Sequence, residues 1–505
     1  EQGRQVLYLL PEIALTTQII NRLRKYFGNR VGVYHSKFNK NERVEIWNKV
    51  KLGELRVILG ARSSIFLPYQ NLGLVICDEE HDASYKQQEP APRYNGRDAA
   101  IYFASLFGAK TLLGSGTPSI ESYYNAATGK YGLVELMQRY GDLKLPQIEF
   151  VDTRKIIQKN TGRQAPHDKI ILSPPLIEAV NEVLARKKQV ILFQNRRGYA
   201  PYQVCGVCGW IPQCKYCDVS LTYHKLSNKL ICHYCGTTYP PVHSCAACGS
   251  DKFVQRNFGT EKIEEQLQET FPDAKVARMD IDTVKGKNAH DVLIQQFEQR
   301  RIDILVGTQM VVKGLDFDNV DLVGILDADG LLHFADFRVN ERAFQLMEQV
   351  SGRAGRKPSF VETSAGKEET AKVLIQTSQP THPLLQVVQR HDFKAMFEEE
   401  LKKRKEFSYP PFTRIIHLTF KHKLKEVVER AAYHYTEALK IKYGSYIVGP
   451  AEPVIGRIRN QYLMELLLKL PRDGRTITQC KKDLLEQIAI LHQNKSFRSV
   501  TIVAD

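Results

Sequence analysis

Eight of the ten cysteines lie between Cys205 and Cys248 as four Cys-x-x-Cys pairs, and nothing else restricts the fold of this 505-residue chain as strongly. Each pair places two thiolates at one turn, and two such turns make one tetrahedral zinc site, so eight ligands imply two closed structural zincs. The order is Cys205-x2-Cys208-x5-Cys214-x2-Cys217-x14-Cys232-x2-Cys235-x9-Cys245-x2-Cys248. Its 14-residue interval is close to the ~15–20 of zinc ribbons. That spacing groups Cys214, Cys217, Cys232 and Cys235 as an inner site and leaves Cys205, Cys208, Cys245 and Cys248 as an outer one, a nested arrangement. Sequential or cross-braced pairing, a redox dithiol and an iron–sulfur cluster are the competing readings. Pairs of this kind fit a reducing compartment better than a disulfide framework, so the cytoplasm is expected. Cys77 and Cys480 read as buried thiols.

Around this block the chain alternates between short apolar runs and helical patterns. The first series predicts strands at Val6–Leu10, Val31–Tyr34, Arg56–Leu59, Leu72–Cys77 and Thr111–Gly114. Helices are expected near Ile13–Tyr26, Asn41–Lys51, Gly96–Phe107 and Pro118–Ala126. A second series begins at helix Pro174–Arg186 and strand Val190–Phe193, is interrupted by the cysteines, and resumes with helix Glu261–Glu269. Strands Ile302–Val306 and Leu322–Leu326 and helix Asn340–Val350 complete it. Such alternation implies α/β units with parallel sheets and ligands at the strands' carboxyl ends. The expected division is 1–142 for the first unit, 143–173 for an aperiodic linker, 174–391 for the second unit with the insertion at 203–253, and 392–505 for a C-terminal α+β domain.

The strand Leu74–Cys77 ends in Asp78-Glu79-Glu80-His81, placing carboxylates where a magnesium nucleotide needs them. Asp78 is suited to hold Mg²⁺ and Glu79 to deprotonate an attacking water, with Glu80 beside them and His81 linking the box to a neighbouring motif. The bland alternative is an acidic loop start. Gln349-Val350-Ser351-Gly352-Arg353-Ala354-Gly355-Arg356 follows a helix, and its guanidinium forks at Arg353 and Arg356 match the arginine-finger device; a basic glycine-rich turn is its alternative. In the loop from Gly307, Gly314 and Asp316 are expected to face a nucleotide, and Thr308 and Gln309 a strand of nucleic acid. Gly114-Ser115-Gly116-Thr117-Pro118 offers hydroxyls between the two sites, or simply a tight turn. A formal charge of +15 favours a polyanionic partner, nucleic acid ahead of a membrane surface. No apolar run approaches the ~18 residues of a membrane span.

Leu9-Leu10-Pro11-Glu12-Ile13-Ala14-Leu15-Thr16, the Asp78 box, Gly114–Ser119, Gly307–Gly314 and Gln349–Arg356 occur in the order of motifs Ia, II, III, V and VI of superfamily 2 helicases. Gly60-Ala61-Arg62-Ser63-Ser64, Phe193–Tyr199, the eight cysteines and Tyr409-Pro410-Pro411 narrow the match, and the chain resembles the primosomal replication-restart helicases. That resemblance implies two RecA-like helicase lobes with the double-zinc insertion in the second. It also implies an ATP- and Mg²⁺-dependent 3′-to-5′ DNA helicase acting on single-stranded and forked DNA. Implied partners are the single-stranded DNA-binding protein, other primosome proteins and the machinery that loads the replicative helicase. It supports the nested zinc pairing, and gives the loop at Ser84–Tyr94, with Arg93 and Tyr94, a role in coupling DNA binding to hydrolysis. One departure stands out: no G-x-x-x-x-G-K-[ST] occurs in these 505 residues. A fragment with half a nucleotide site is therefore expected, with a non-catalytic zinc-bearing DNA-binding platform as the alternative.

Overall fold

In the computed structural model, residues 3–11, 17–34, 38–138, 144–160, 171–195, 202–205, 207–208, 210–216, 221–224, 229–232, 237–256, 260–280, 283, 289–311, 317–332, 336–355 and 371–505 are described. The chain forms two compact units, Glu1–Arg196 with Thr260–Phe397, and Arg197–Gly259 with Glu398–Asp505.

The first unit holds two lobes. Lobe 1 runs β1 (Gln5–Leu9), α1 (Thr17–Phe27), β2 (Val31–Tyr34), α2 (Lys40–Lys51), β3 (Val57–Gly60), β4 (Leu72–Asp78), α3 (Gly96–Leu106), β5 (Lys110–Gly114) and α4 (Ile120–Ala127). Its sheet is parallel in the order β2-β3-β1-β4-β5. Leu7, Leu9, Ile58, Leu72, Val75 and Cys77 fill the core. Burial pushes the Cys77 thiol up to about 12, in keeping with an inert core residue. Strand β5 is the sheet's edge among the described residues and leaves Leu112 55% exposed.

Lobe 2 contains β6 (Gln147–Asp152), α5 (Thr153–Asn160), α6 (Pro174–Ala185) and β7 (Gln189–Phe193) before the insertion. The insertion contributes β8 (Tyr202–Cys205), β9 (Thr222–His224), β10 (Lys229–Ile231), β11 (Thr238–Tyr239) and β12 (Phe253–Arg256). The lobe then resumes with α7 (Thr260–Thr270), β13 (Val276–Met279), α8 (Ala289–Glu298), β14 (Ile304–Gly307), β15 (Val320–Ile325), α9 (Asp329–Leu332), α10 (Val339–Ser351), β16 (Lys372–Thr377) and α11 (Pro383–Gln389). Its parallel sheet has the order β13-β14-β7-β15-β16-β6. The presence of β6 corrects the expectation of an aperiodic linker at 143–173, since all six of its residues pair in register with β16. The strand carries Ile148, Phe150 and Val151 among six residues at the sheet's edge, and its ladder partner lies more than two hundred residues away.

The rest of the chain comprises α12 (Phe393–Glu406), β17 (Thr413–His422), α13 (Lys425–Tyr443), β18 (Ile447–Ala451), β19 (Arg457–Ile458), β20 (Gln461–Pro471), α14 (Gly474–Gln493) and β21 (Thr501–Ala504). An antiparallel sheet of order β18-β20-β17-β21, with β19 on β20, packs its apolar side against α13 and α14. The insertion's own core is small: Cys214, Leu221, Leu230 and Cys232, with Ile458 of β19 packed against them. Arg459 and Asn460 both adopt positive φ (49° and 60°), as a two-residue hairpin turn requires. The Asn460 amide donates to the Tyr216 carbonyl at 2.6 Å. The cysteine-rich insertion thus packs with the C-terminal domain, although the chain reaches it from lobe 2. No described helix is long and apolar enough to cross a membrane.

Candidate active site and metal centre

Strand β4 delivers Asp78 at its carboxyl end, beside the end of β1. The Tyr8 hydroxyl donates to Asp78 Oδ2 at 3.1 Å and the Glu79 amide to Oδ1 at 3.0 Å. Burial, reinforced by the Asp78 charge, raises the Tyr8 phenol well above its usual range, so it stays a donor. The Tyr85 hydroxyl bridges the carbonyls of Leu9 (3.0 Å) and Asp78 (2.7 Å), tying the two strand ends together. Glu79 has φ 47°, a left-handed backbone that non-glycine residues adopt at a cost and that concentrates at functional sites. This bend separates the box into two directions. Glu79 points toward lobe 2, and Glu80 turns inward.

From lobe 2, Gln349 on α10 reaches across to the box. Its Nε2 lies 3.3 Å from Glu79 Oε2 and 2.9 Å from His81 Nε2. An amide NH₂ carries two protons, so it serves both acceptors, which assigns the proton of the His81 ring to Nδ1. That nitrogen meets Ser115 Oγ at 2.8 Å, and the same Oγ accepts from the Thr117 amide at 2.9 Å. A polar chain therefore runs from α10 through His81 into the Gly114–Ser119 loop.

Glu80, expected beside Asp78 and Glu79 in the catalytic box, is engaged within lobe 1. Only 3% exposed, it accepts from Arg97 Nη1 (2.7 Å), the Ser119 amide (2.6 Å) and Ser122 Oγ (2.8 Å). A carboxylate bonded in this way holds α3 and the start of α4 in place. Replacing Glu80 by Ala would leave the mostly buried Arg97 without that partner. A loss of about 3–5 kcal/mol is expected, read as a lower denaturant midpoint for the first unit.

Helix α10 also carries contacts that sequence reasoning missed. Glu341, Gln345 and Gln349 stand four apart on one face, and each touches lobe 1: Glu341 at the Ile120 amide and Gln345 at the Thr117 carbonyl. Around them Ala343, Phe344, Leu346, Met347 and Val350 are buried. A polar stripe of period four beside the apolar face of Phe344, Met347 and Val350 was the available signal, and it resembles a solvent-facing stripe. Arg353, a further step of four along, is 7% exposed just after the helix ends, before Gly355 turns the chain at φ 64°. Arg356, Gly314 and Asp316 lie outside the described residues.

Thr308 is buried after β14 and Gln309 begins the following turn. A side chain on Gly307 would collide with the Met279 carbonyl at 2.6 Å, so the strand-to-loop transition there needs glycine. Arg93 donates through Nε to the Gln88 carbonyl, and Tyr94 packs edge-on against Phe66 at 5.3 Å. A bridge between Lys86 and Asn95 closes this loop on itself, close in sequence to the box.

Cys205, Cys208, Cys245 and Cys248 converge so that all four Sγ atoms lie within 4.8 Å of one another, with Cys205–Cys248 and Cys208–Cys245 both 3.5 Å apart. A tetrahedron of Zn–S bonds of about 2.3 Å has edges of roughly 3.8 Å, so the quartet fits a zinc ion. The Cys208 backbone amide donates to Cys205 and holds that thiol down, while the hydrogen bonds the thiols share push Cys208 and Cys248 up, so in the metal-free quartet the protons are shared unevenly. In the inner set, Cys214 is buried and accepts from the Tyr216 amide at 3.4 Å, and Cys232 is fully buried. Cys217 and Cys235 lie outside the described residues.

Two RecA-like lobes that meet where α10 reaches the acidic box have the layout of a helicase-type motor. Sequence comparison agrees: residues 1–125 match the DEAD/DEAH box helicase model and 252–358 the helicase conserved C-terminal domain. Residues 214–240 match the PriA DNA helicase Cys-rich region, and 405–505 the primosomal protein N C-terminal domain. The chain belongs to the PriA replication restart family. It is 40% identical over 487 residues to the replication restart protein PriA of Bacillus subtilis, covering 96% of this chain and 58% of that one. With the Rickettsia felis protein of the same name it shares 40% identity over 473 residues, 92% of this chain and 69% of the relative. The chain thus spans little more than half the length of several curated relatives it matches.

Proposed function

We propose that this chain supplies the motor lobes and zinc module of an ATP-dependent 3′-to-5′ DNA helicase that recognises stalled or branched replication forks and initiates primosome assembly. The observation that carries the reading is Gln349 of one lobe bridging Glu79 and His81 of the other, since a motor needs its hydrolytic carboxylate to sense the opposite lobe. Bound ATP with Mg²⁺ supplies the phosphoryl bond whose hydrolysis drives lobe movement. Asp78 would hold the metal, Glu79 would orient and deprotonate the attacking water, and Arg353 with Arg356 would stabilise charge on the transferred phosphoryl group. Gly314 and Asp316 would contact the nucleotide, and Thr308, Gln309, Arg93 and Tyr94 the DNA strand.

Zinc is assigned to the two cysteine quartets, nested as Cys205, Cys208, Cys245, Cys248 and Cys214, Cys217, Cys232, Cys235. Proposed partners are single-stranded and forked DNA, the single-stranded DNA-binding protein and the proteins that load the replicative helicase. The setting would be the cytoplasm, at the nucleoid. Because the phosphate-cradling Gly-Lys-Thr loop is not among these 505 residues, the chain by itself should bind DNA and zinc yet turn over ATP poorly.

The test uses the complete protein with 3′-tailed and 5′-tailed duplexes, and single-stranded DNA or RNA as activator. Single-stranded DNA should stimulate hydrolysis at least about tenfold more than RNA, and only the 3′-tailed duplex should be unwound. DNA binding without any stimulated hydrolysis would favour the platform reading instead.

A further inference from the structure

We infer that Glu341 is a positioning residue that docks lobe 2 on the first turn of α4 in lobe 1, and so sets the reach of Gln349 to the carboxylate box. The position of this contact, outside the box itself, is what gives it a separate role. Glu341 is 3% exposed, and its Oε1 accepts from the Ile120 amide at 2.8 Å. Ile120 is the first residue of α4, whose amide has no partner within its own helix and points to the positive end of the helix dipole. A buried carboxylate is costly unless charge and hydrogen bonds compensate, and here both come from across the cleft or beside it. Arg338 Nη1 stands 3.7 Å from Glu341 Oε2 while donating to Glu121 Oε1 of α4 at 2.6 Å.

Around this pair the contact is extended. Gln345 donates to the Thr117 carbonyl at 3.3 Å. Tyr123 of α4 meets Phe393 and Phe397 edge-on at 5.0 and 4.8 Å, and Lys394 pairs with Glu135 at 3.1 Å. The same α4 start is held from the lobe 1 side by Glu80, through Ser119 and Ser122. Two buried carboxylates, one from each lobe, therefore grip one short helix. Because Glu341, Gln345 and Gln349 share a face at four-residue steps, anchoring the first fixes the position of the last within the rigidity of two helical turns. When the lobes part, Glu341 and the Ile120 amide must both be rehydrated together, which makes the docking a two-state contact rather than a graded one.

Hydrogen exchange on this chain, without nucleotide or DNA, tests the docking directly. Glu341→Ala should raise exchange in the segment 117–123 by about tenfold, the weight of one charge-assisted hydrogen bond. Glu341→Gln, whose amide oxygen can still accept from Ile120, should restore most of the protection. Exchange in β4 and β15 should stay at the wild-type level in both. Unchanged exchange at 117–123 in Glu341→Ala would overturn the inference, as would equal loss in the Ala and Gln variants. If Glu341→Ala also loosened β4 and β15, Arg338→Gln provides the second reading: it removes the ion pair to Glu121, and unaltered exchange at 117–123 there would likewise overturn it. The role given to Gln349 rests on the nucleotide site proposed above, but the exchange measurement does not, so the two can fail separately.

Discussion

Glu79→Gln in the complete protein is expected to lower DNA-stimulated ATP hydrolysis by ~10²–10⁴-fold, the usual contribution of a positioned general base. The substitution is nearly isosteric, and its remaining carbonyl oxygen can still accept from Gln349, so the contact across the cleft survives while proton abstraction does not. DNA affinity, measured by fluorescence anisotropy, should therefore stay within about threefold of wild type, a change below 1 kcal/mol. Steady-state hydrolysis that survived the change would remove Glu79 from the reaction. Glu80→Gln gives a contrasting pattern. It retains an acceptor for the Ser119 amide and weakens only the Arg97 pairing, so its main readout is stability and its effect on hydrolysis should be much smaller. Adjacent carboxylates in one motif then separate into a chemical and a structural role, and the left-handed backbone at Glu79 is what sends them in different directions.

That separation was not legible in Asp78-Glu79-Glu80-His81. The lobes were, because both sheets are built from short buried runs with helices between them, and such patterns carry their own period. Strands β2 and β4 and helices α2, α3 and α6 fall within a residue or two of expectation. What the pattern hid was anything set by a distant partner. Strand β6, Gln-Ile-Glu-Phe-Val-Asp, is a short edge segment followed at once by a helix, and its pairing with β16 comes from more than two hundred residues away. The stripe Glu341, Gln345 and Gln349 looks like a wet helix face until lobe 1 covers it. The β19–β20 hairpin that carries Arg457, Arg459 and Tyr462 meets the cysteine-rich module through Asn460 and Ile458, and Arg457 stacks 5.5 Å above the Tyr462 ring. Local secondary-structure patterns were readable, but the surface against which each segment packs was not.

Removing zinc should unfold the cysteine-rich module while leaving both lobes intact. The module's core among the described residues consists of two leucines and two cysteines with a few partly buried neighbours, far too little apolar area to offset the ordering of its chain. Structural zinc contributes about 10–16 kcal/mol in domains of this size, so the metal decides whether the module folds. Stoichiometry also discriminates the pairing. In the nested arrangement Cys205 and Cys245 serve one ion, so a Cys205→Ser, Cys245→Ser double variant should retain one zinc per chain; sequential or cross-braced pairing would place them on different ions and both would be lost. With Trp47→Phe, Trp210 becomes the sole tryptophan and reports on the module alone. Its emission should shift to the red on chelation while the far-ultraviolet dichroism of the α/β lobes persists. Since Ile458 packs into the module and the Asn460 amide binds the Tyr216 carbonyl, the β19–β20 hairpin should lose exchange protection in the same step. A metal-free chain that kept the Trp210 signal unchanged would show that the module folds on its apolar core, and the structural-zinc assignment would fall.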